Sequence, residues 1–153
     1  MFPNFNFDTA LETIEQETNN QTDSITLGRV FLMEFDGNKA KFVLENGRPV
    51  EAKTTKEKVQ MYTQLLLRTE SGKYSIYKDT DFGMTYFKYR GNRQLPVGFI
   101  NSELKREIEE KLTILSVVES VSDFSATLND NVLEIDFTIN LVDGSAVPVS
   151  EVV

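Results

Sequence analysis

The chain is predicted to fold as an α+β domain: a mainly antiparallel sheet with two principal helices on one face and a C-terminal β-hairpin. Three observations predict it. In Val132–Leu141, Leu133, Ile135, Phe137, Ile139 and Leu141 alternate with Glu134, Asp136, Thr138 and Asn140, the two-residue period of a strand with one dry and one wet face. Two other stretches carry the helical period instead, around Val59–Leu66 and Ile100–Leu112. The elements come in runs of strands separated by single helices, which suits helices gathered on one face of an antiparallel sheet.

The first 25 residues read as an arm. Residues 1–28 hold Asp8, Glu12, Glu15, Glu17 and Asp23 and no Lys or Arg. Glu15–Asp23 is polar enough to lack structure of its own. Phe2, Phe5, Phe7, Leu11 and Ile14 precede or flank it and are too apolar for a solvated tail. They either lie on the chain's own core or anchor the arm on another subunit, as interface aromatics do.

Three strands follow with turns written between them: Val30–Phe35, Asp36-Gly37, Ala40–Leu44, Asn46-Gly47 and Pro49–Ala52. Asp-Gly and Asn-Gly supply the positive φ that tight hairpin turns need. Pro49 puts the third strand at an edge or makes it irregular. Thr54 and Glu57 match a capping box, and Val59, Met61, Tyr62, Leu65 and Leu66 follow at helical spacing, so a helix is predicted from about Lys56 to Glu70 with Gly72 as its C′ stop. Tyr74–Tyr77 and Met84–Phe87 are aromatic and β-prone. Asn101 or Ser102 caps a second helix, whose narrow stripe is Ile100, Leu104, Ile108 and Leu112. Lys105, Arg106, Glu107, Glu109, Glu110 and Lys111 occupy its other faces. Phe124–Leu128 pairs with Val132–Leu141 across Asn129-Asp130-Asn131, forming the hairpin. Beyond Asp143-Gly144 the tail 145–153 is β-prone, with Pro148 expected to break its ladder.

With 153 residues, the chain is long enough for one domain with its own core. It has no Cys and no His, which removes Ser-His-Asp and Cys-His catalysis, disulfides and the commonest transition-metal ligands. A net charge of −8 argues against binding to phosphate backbones. No apolar run has membrane-spanning length and no signal peptide is read at the N-terminus, so the expectation is a soluble, intracellular chain with no nucleic-acid and no membrane partner. Asp79-Thr80-Asp81 reads as a turn rather than a metal site, because it offers too few ligands for a hard cation. The short run Lys88, Arg90, Arg93 with Tyr86, Phe87 and Tyr89 reads as a solvated edge rather than a grip on single-stranded nucleic acid. No acid pair stands out for glycoside hydrolysis. No catalytic residues, cofactor or metal are assigned, and apolar termini favour assembly over catalysis.

The order of several short pieces resembles the XkdS-like baseplate wedge and sheath-initiator proteins of contractile phage tails and phage-tail-like bacteriocins. These pieces are Val30–Asp36, Asn46-Gly47 leading into Lys56–Leu67, Arg68-x-Glu70, Tyr74-x-Ile-Tyr77, Phe82-Gly83, Leu95–Ile100 entering the helix with Glu103–Arg106, Val118-x-x-Val121-x-Asp-Phe124 and Val132–Leu141. The resemblance covers about residues 26–144, leaving 1–25 as arm and 145–153 as tail. Leu115-Ser116-Val117 stand where many relatives carry Glu-Pro-Arg, so no role of that signature carries over. The resemblance implies a structural, non-enzymatic protein, present in six copies, that joins the wedge to the hub and tube and offers the sheath protein a strand to build on. It also implies assembly in the host cytoplasm and residence in the baseplate of a virion or tail-like particle. Partner contacts are expected at Phe2, Phe5 and Phe7 and along the strand of Leu133, Ile135, Phe137, Ile139 and Leu141. The alternatives are a stand-alone binding or regulatory module and a cell-wall hydrolase, the latter requiring two carboxyls about 5–9.5 Å apart in a cleft.

Overall fold

The computed structural model describes residues 24–37, 39–89, 96–129 and 132–152. Phe2, Phe5 and Phe7, the bases Arg90 and Arg93, and Asp130-Asn131 in the hairpin turn lie outside them. The α+β architecture is as expected, with strands in three sheets and two long helices among the described residues.

The N-terminal strands form a three-armed junction rather than a simple meander. Strands β1 (Met33–Asp36) and β2 (Lys39–Phe42) pair antiparallel. So do β3 (Leu44–Glu45) and β4 (Arg48–Pro49). Phe31 bridges Glu51 to make the third arm. At the centre the backbone bonds run in a ring. Leu32 N–H donates to Val50 O (2.8 Å), Val50 N–H to Val43 O (2.9 Å) and Val43 N–H to Leu32 O (2.9 Å). The predicted strand from Val30 is thus split between two partners. At the Asn46-Gly47 turn φ is 51° and 75°, the pair of positive values a tight hairpin needs.

Helix α1 runs Thr55–Arg68 behind the predicted capping box. Glu57 N–H donates to Thr54 Oγ1 at 3.2 Å, and Glu57 Oε2 accepts from Thr54 N–H at 3.1 Å and Lys53 N–H at 2.7 Å. Those bonds, from Thr54 first and then Lys53, hold the Glu57 carboxyl below the usual glutamate range. The helix stops at Arg68 with extended Thr69 as C-cap, so Gly72 (φ 74°) belongs to the following turn and is not the C′ residue.

The β-prone aromatic pieces are not strands. Ser75–Tyr77 and Tyr86–Tyr89 form 3-10 turns, because their rings pack in a cluster instead of alternating across a sheet. Tyr62 and Phe82 meet edge to face at 5.5 Å, and Tyr77 lies 4.7 Å from Phe82. The strap through Met84 is bonded to the end of α1 by Met84 N–H to Thr69 O (2.7 Å) and Ser71 N–H to Met84 O (3.0 Å). Gly83 makes that approach possible. Its φ is 104°, and a Cβ there would sit 2.9 Å from Ser71 N.

Helix α2 spans Val97–Thr113, beginning four residues before the expected cap, with Pro96 at N-cap. Leu104, Ile108 and Leu112 are buried as predicted. Glu107 and Lys111, read as surface charges, are buried as well. Glu107 Oε1 accepts Thr85 N–H at 2.6 Å, and Lys111 Nζ donates to Asp81 O at 2.6 Å and pairs with its carboxylate at 3.2 Å. The two charges clamp the aromatic strap to α2, and Asp79–Asp81 is a turn within it.

The C-terminal sheet has the order β5 (Val118–Asn129), β6 (Val132–Leu141), β7 (Ala146–Val152), all antiparallel. Helix α2 packs on β5 and α1 on β7. The core between helices and sheet unites Val59, Leu66 and Leu67 of α1, Leu104, Ile108 and Leu112 of α2, and the inward faces of β6 and β7. Each fully buried Leu or Ile there contributes about 1.5–3 kcal/mol.

Candidate assembly surface

The alternating strand singled out in the sequence is the centre of its sheet. β6 pairs with β5 on one side and with β7 on the other. It has no open edge, which corrects the expectation that it is the strand a partner extends. Ile135, Phe137, Ile139 and Leu141 are at most 3% exposed, and Leu133 packs half-buried against the same core. Their side chains are taken up inside the chain because the dry face of the strand is covered by the two helices.

Among the described residues, the open edges are those of β5 and β7. β7 is regular, pairing from Asn140↔Ala146 to Glu134↔Val152 with no register shift. Leu141 N–H donates to Ser145 O at 2.8 Å. Bonded and non-bonded pairs alternate in an antiparallel ladder, so Val147, Val149 and Glu151 bond inward to β6. Ala146, Pro148, Ser150 and Val152 turn their backbone groups outward. Pro148 therefore does not break the ladder, because its missing N–H falls on the free side. The outer edge of β7 presents N–H donors at Ala146, Ser150 and Val152 and a gap at Pro148.

β7 is held down by a buried charge. Glu151 is 6% exposed. It accepts from Arg68 Nη2 at 2.8 Å and from Gln64 Nε2 at 2.6 Å, both on α1. Arg68 also donates to Gly37 O at 3.3 Å and lies over the Phe35 ring, 4.8 Å from its centroid. One side chain thereby ties β7, α1 and the β1–β2 hairpin together. Sequence reading missed this site. The available signal was a glutamate on the dry face of β7, in series with Val147 and Val149.

At the other end of β7, Asp143 closes the turn from β6. Ser145, through its hydroxyl and then its N–H, holds the Asp143 carboxyl below the usual aspartate range. The N–H contact, 2.8 Å to Oδ1, is the one with hydrogen-bond geometry, and the buried hydroxyl has no partner in such geometry.

β5 is the more heavily protected edge. Its register shifts between Val118 and Ser120 and again between Ser122 and Ser125, with Asp123 at φ 54°. Such bulges twist an edge away from pairing. Asn101 Nδ2 donates to Ala126 O at 3.1 Å, so α2 also covers part of that edge.

A search of curated proteins found no match to the chain. A family model described as contractile injection system sheath initiator matches residues 32–144, a span that runs from the three-armed junction through β6 and ends just before β7. That span is well over half of the sequence, and the chain belongs to the contractile injection system sheath initiator family.

Proposed function

We propose that this chain starts the tail sheath by strand addition at the outer edge of β7. A partner's extended segment pairs with the backbone of Ala146, Ser150 and Val152 and enlarges the three-stranded sheet to four or more. The single observation that carries the reading is a regular β7 with an unpaired outer edge, on the opposite side of β6 from a bulged and partly covered β5. The gap at Pro148 gives the added strand a register, because donors stand at three positions only. The partner on this edge is the tail sheath protein. Other wedge proteins and the hub and tube hold the remaining faces, with six copies of the chain in the baseplate of a virion or tail-like particle assembled in the host cytoplasm.

The chain is not an enzyme in this reading. It has no His or Cys, and the two glutamates buried among the described residues are committed to structural bonds, Glu107 to Thr85 N–H and Glu151 to Arg68 and Gln64.

Ser150→Pro tests the edge. It deletes an outward N–H without touching the ladder to β6. In cells whose native copy is replaced by this variant, we expect tubes and baseplates without sheath under the electron microscope. The purified variant should melt cooperatively within about 5 °C of the parent. Sheathed tails in normal number from a folded variant would overturn the proposal.

A further inference from the structure

We infer that helix α1 bars the open edge of β7 to a second copy of this chain, so that the edge stays unfilled in the free protein and accepts only a strand with no helix on its dry side. The inference rests on the reading of β7 as the assembly edge and adds what that edge refuses.

Backbone chemistry alone would let two copies pair. The outward residues of β7 are Ala146, Pro148, Ser150 and Val152, none of them charged. The strand can be set antiparallel to itself with Ala146 opposite Val152 and Pro148 opposite Ser150 across the axis. Every N–H that the edge has then finds a carbonyl, and only the carbonyl of Ser150, facing the proline, lacks a donor. An unpaired edge of this kind is a template for its own kind.

The obstacle lies one layer up. Val147, Val149 and Glu151 are buried on the helix side of β7. Glu151 is bonded to α1 through Gln64 at 2.6 Å and Arg68 at 2.8 Å. Val147 and Val149 share a core with Val59, Leu66 and Leu67 of the same helix. α1 therefore stands over β7 itself, the last strand of the sheet. A symmetric antiparallel pair has its two-fold axis perpendicular to the sheet, which keeps both helix layers on the same side. Neighbouring strands lie about 4.8 Å apart, whereas packed helices need about 8–10 Å between their axes. Two α1 helices over two adjacent β7 strands would occupy the same space. Sheet twist turns one helix against the other by about 20–25°, which does not widen the gap where they cross. Parallel pairing offers no symmetric alternative, because it needs an offset between the strands that a two-fold axis does not allow.

Charge is not the bar. Glu134 and Asp136 stand on the wet face of β6, one strand in from the edge. In a paired sheet they would lie at least about 14 Å from their counterparts, past the screening length of about 8 Å at physiological salt. A lone extended segment brings no helix layer and lies in the plane of the sheet below the flank of α1.

The test presents one strand in two ways at one concentration. In the first, a second copy of residues 145–153 is appended to the C-terminus of the full chain through a Gly/Ser linker of about 12 residues, which holds it near the edge at about millimolar effective concentration. In the second, the parent chain is brought to about the same millimolar concentration. Hydrogen exchange is read by NMR at the outward amides of Ala146, Ser150 and Val152. We expect the appended strand to slow them about tenfold or more relative to the dilute parent. The concentrated parent should leave them unchanged, at about 0.5 M salt as at about 0.1 M. Slowing of those amides in the concentrated parent would overturn the inference and leave strand addition standing. No slowing by the appended strand would overturn strand addition at β7, and the inference with it.

Discussion

The two edges of the C-terminal sheet start from the same backbone chemistry and end differently. β5 is long, bulged at Asp123 and touched by Asn101 of α2. β7 is short and regular, and its only interruption is Pro148. Edge strands ordinarily carry a device against unwanted pairing, such as charge, bulge, proline or cover. β5 has two of these and bears Glu119 and Asp123 on its exposed positions, whereas the outward-facing series of β7, Ala146, Pro148, Ser150 and Val152, has no charge. β7 has one such device, Pro148, which leaves the N–H groups of Ala146, Ser150 and Val152 on its outer side. The contrast teaches that the two edges differ in how much protection they carry, and not in any distinctive motif.

The largest expected effect comes from breaking what the two edges share. Ile139 is fully buried on β6 and pairs with Val121 of β5 and Val147 of β7. Ile139→Pro loses an inward ladder bond and the packing of a core side chain. The proline removes a ladder donor and leaves a buried acceptor unpaired at a cost of about 1–3 kcal/mol, and core truncations add about 2–5 kcal/mol. Against a domain stability of about 5–15 kcal/mol, we expect no cooperative thermal transition, whereas Ser150→Pro keeps one. A cooperative melt for Ile139→Pro would break the placement of β6 at the centre of the sheet.

That distinction shows what was legible in the sequence and what was not. The alternation of β6, the Thr54 capping box and the Leu104–Leu112 stripe are local periodicities, and all three appear as read. Whether a side of β6 remains open is not local. It depends on whether the tail returns along β6, and Pro148 argued against that return until the direction of its missing N–H was known. The start of α2 was misread for a related reason. Asn101 and Ser102 are good caps in isolation, but Asn101 bonds Ala126 O and Ser102 bonds Gly98 O. The aromatic pieces around Tyr77 and Phe87 have strand propensity that packing overrides. Of the proposed contact residues, the β6 set is core, and of the Arg68–Glu151 pair that positions the edge only Arg68 entered the sequence reading, as part of a resemblance.

A middle-sized effect separates the edges by their anchors. Glu151 pairs with Arg68 at 2.8 Å, with side chains 6% and 25% exposed. Glu151→Ala leaves Arg68 without its carboxylate and without full hydration. Breaking a fully buried pair costs about 3–5 kcal/mol, and this pair is partly wet, so about 2 kcal/mol is expected in urea unfolding. Hydrogen exchange should show the loss concentrated in β7, with the β5 amides protected up to the global limit. Equal loss of protection in β5 and β7 would mean that the ion pair is not the anchor of the open edge.

The smallest effect is the response of that edge to acid. The Asp143 carboxyl is held below its ordinary value of 3.8 by Ser145. As pH falls, the unfolded chain takes up this proton first, near 3.8, while the folded turn still excludes it. Where the unfolded state binds more protons, stability falls with falling pH. The contribution is therefore complete above about pH 5 and is lost as pH drops through 3.8 toward the folded value. Its locus is the root of β7, so protection factors of the Val147 and Val149 amides should fall between pH 6 and pH 3 by more than those of β5. Asp143→Asn retains an acceptor for Ser145 N–H but cannot titrate, and it should remove the excess at β7 while leaving the acid response of the other carboxylates, including Glu57 at the cap of α1, in place. An excess at β7 that survives Asp143→Asn would move the acid-sensitive group away from the turn and onto the strand itself.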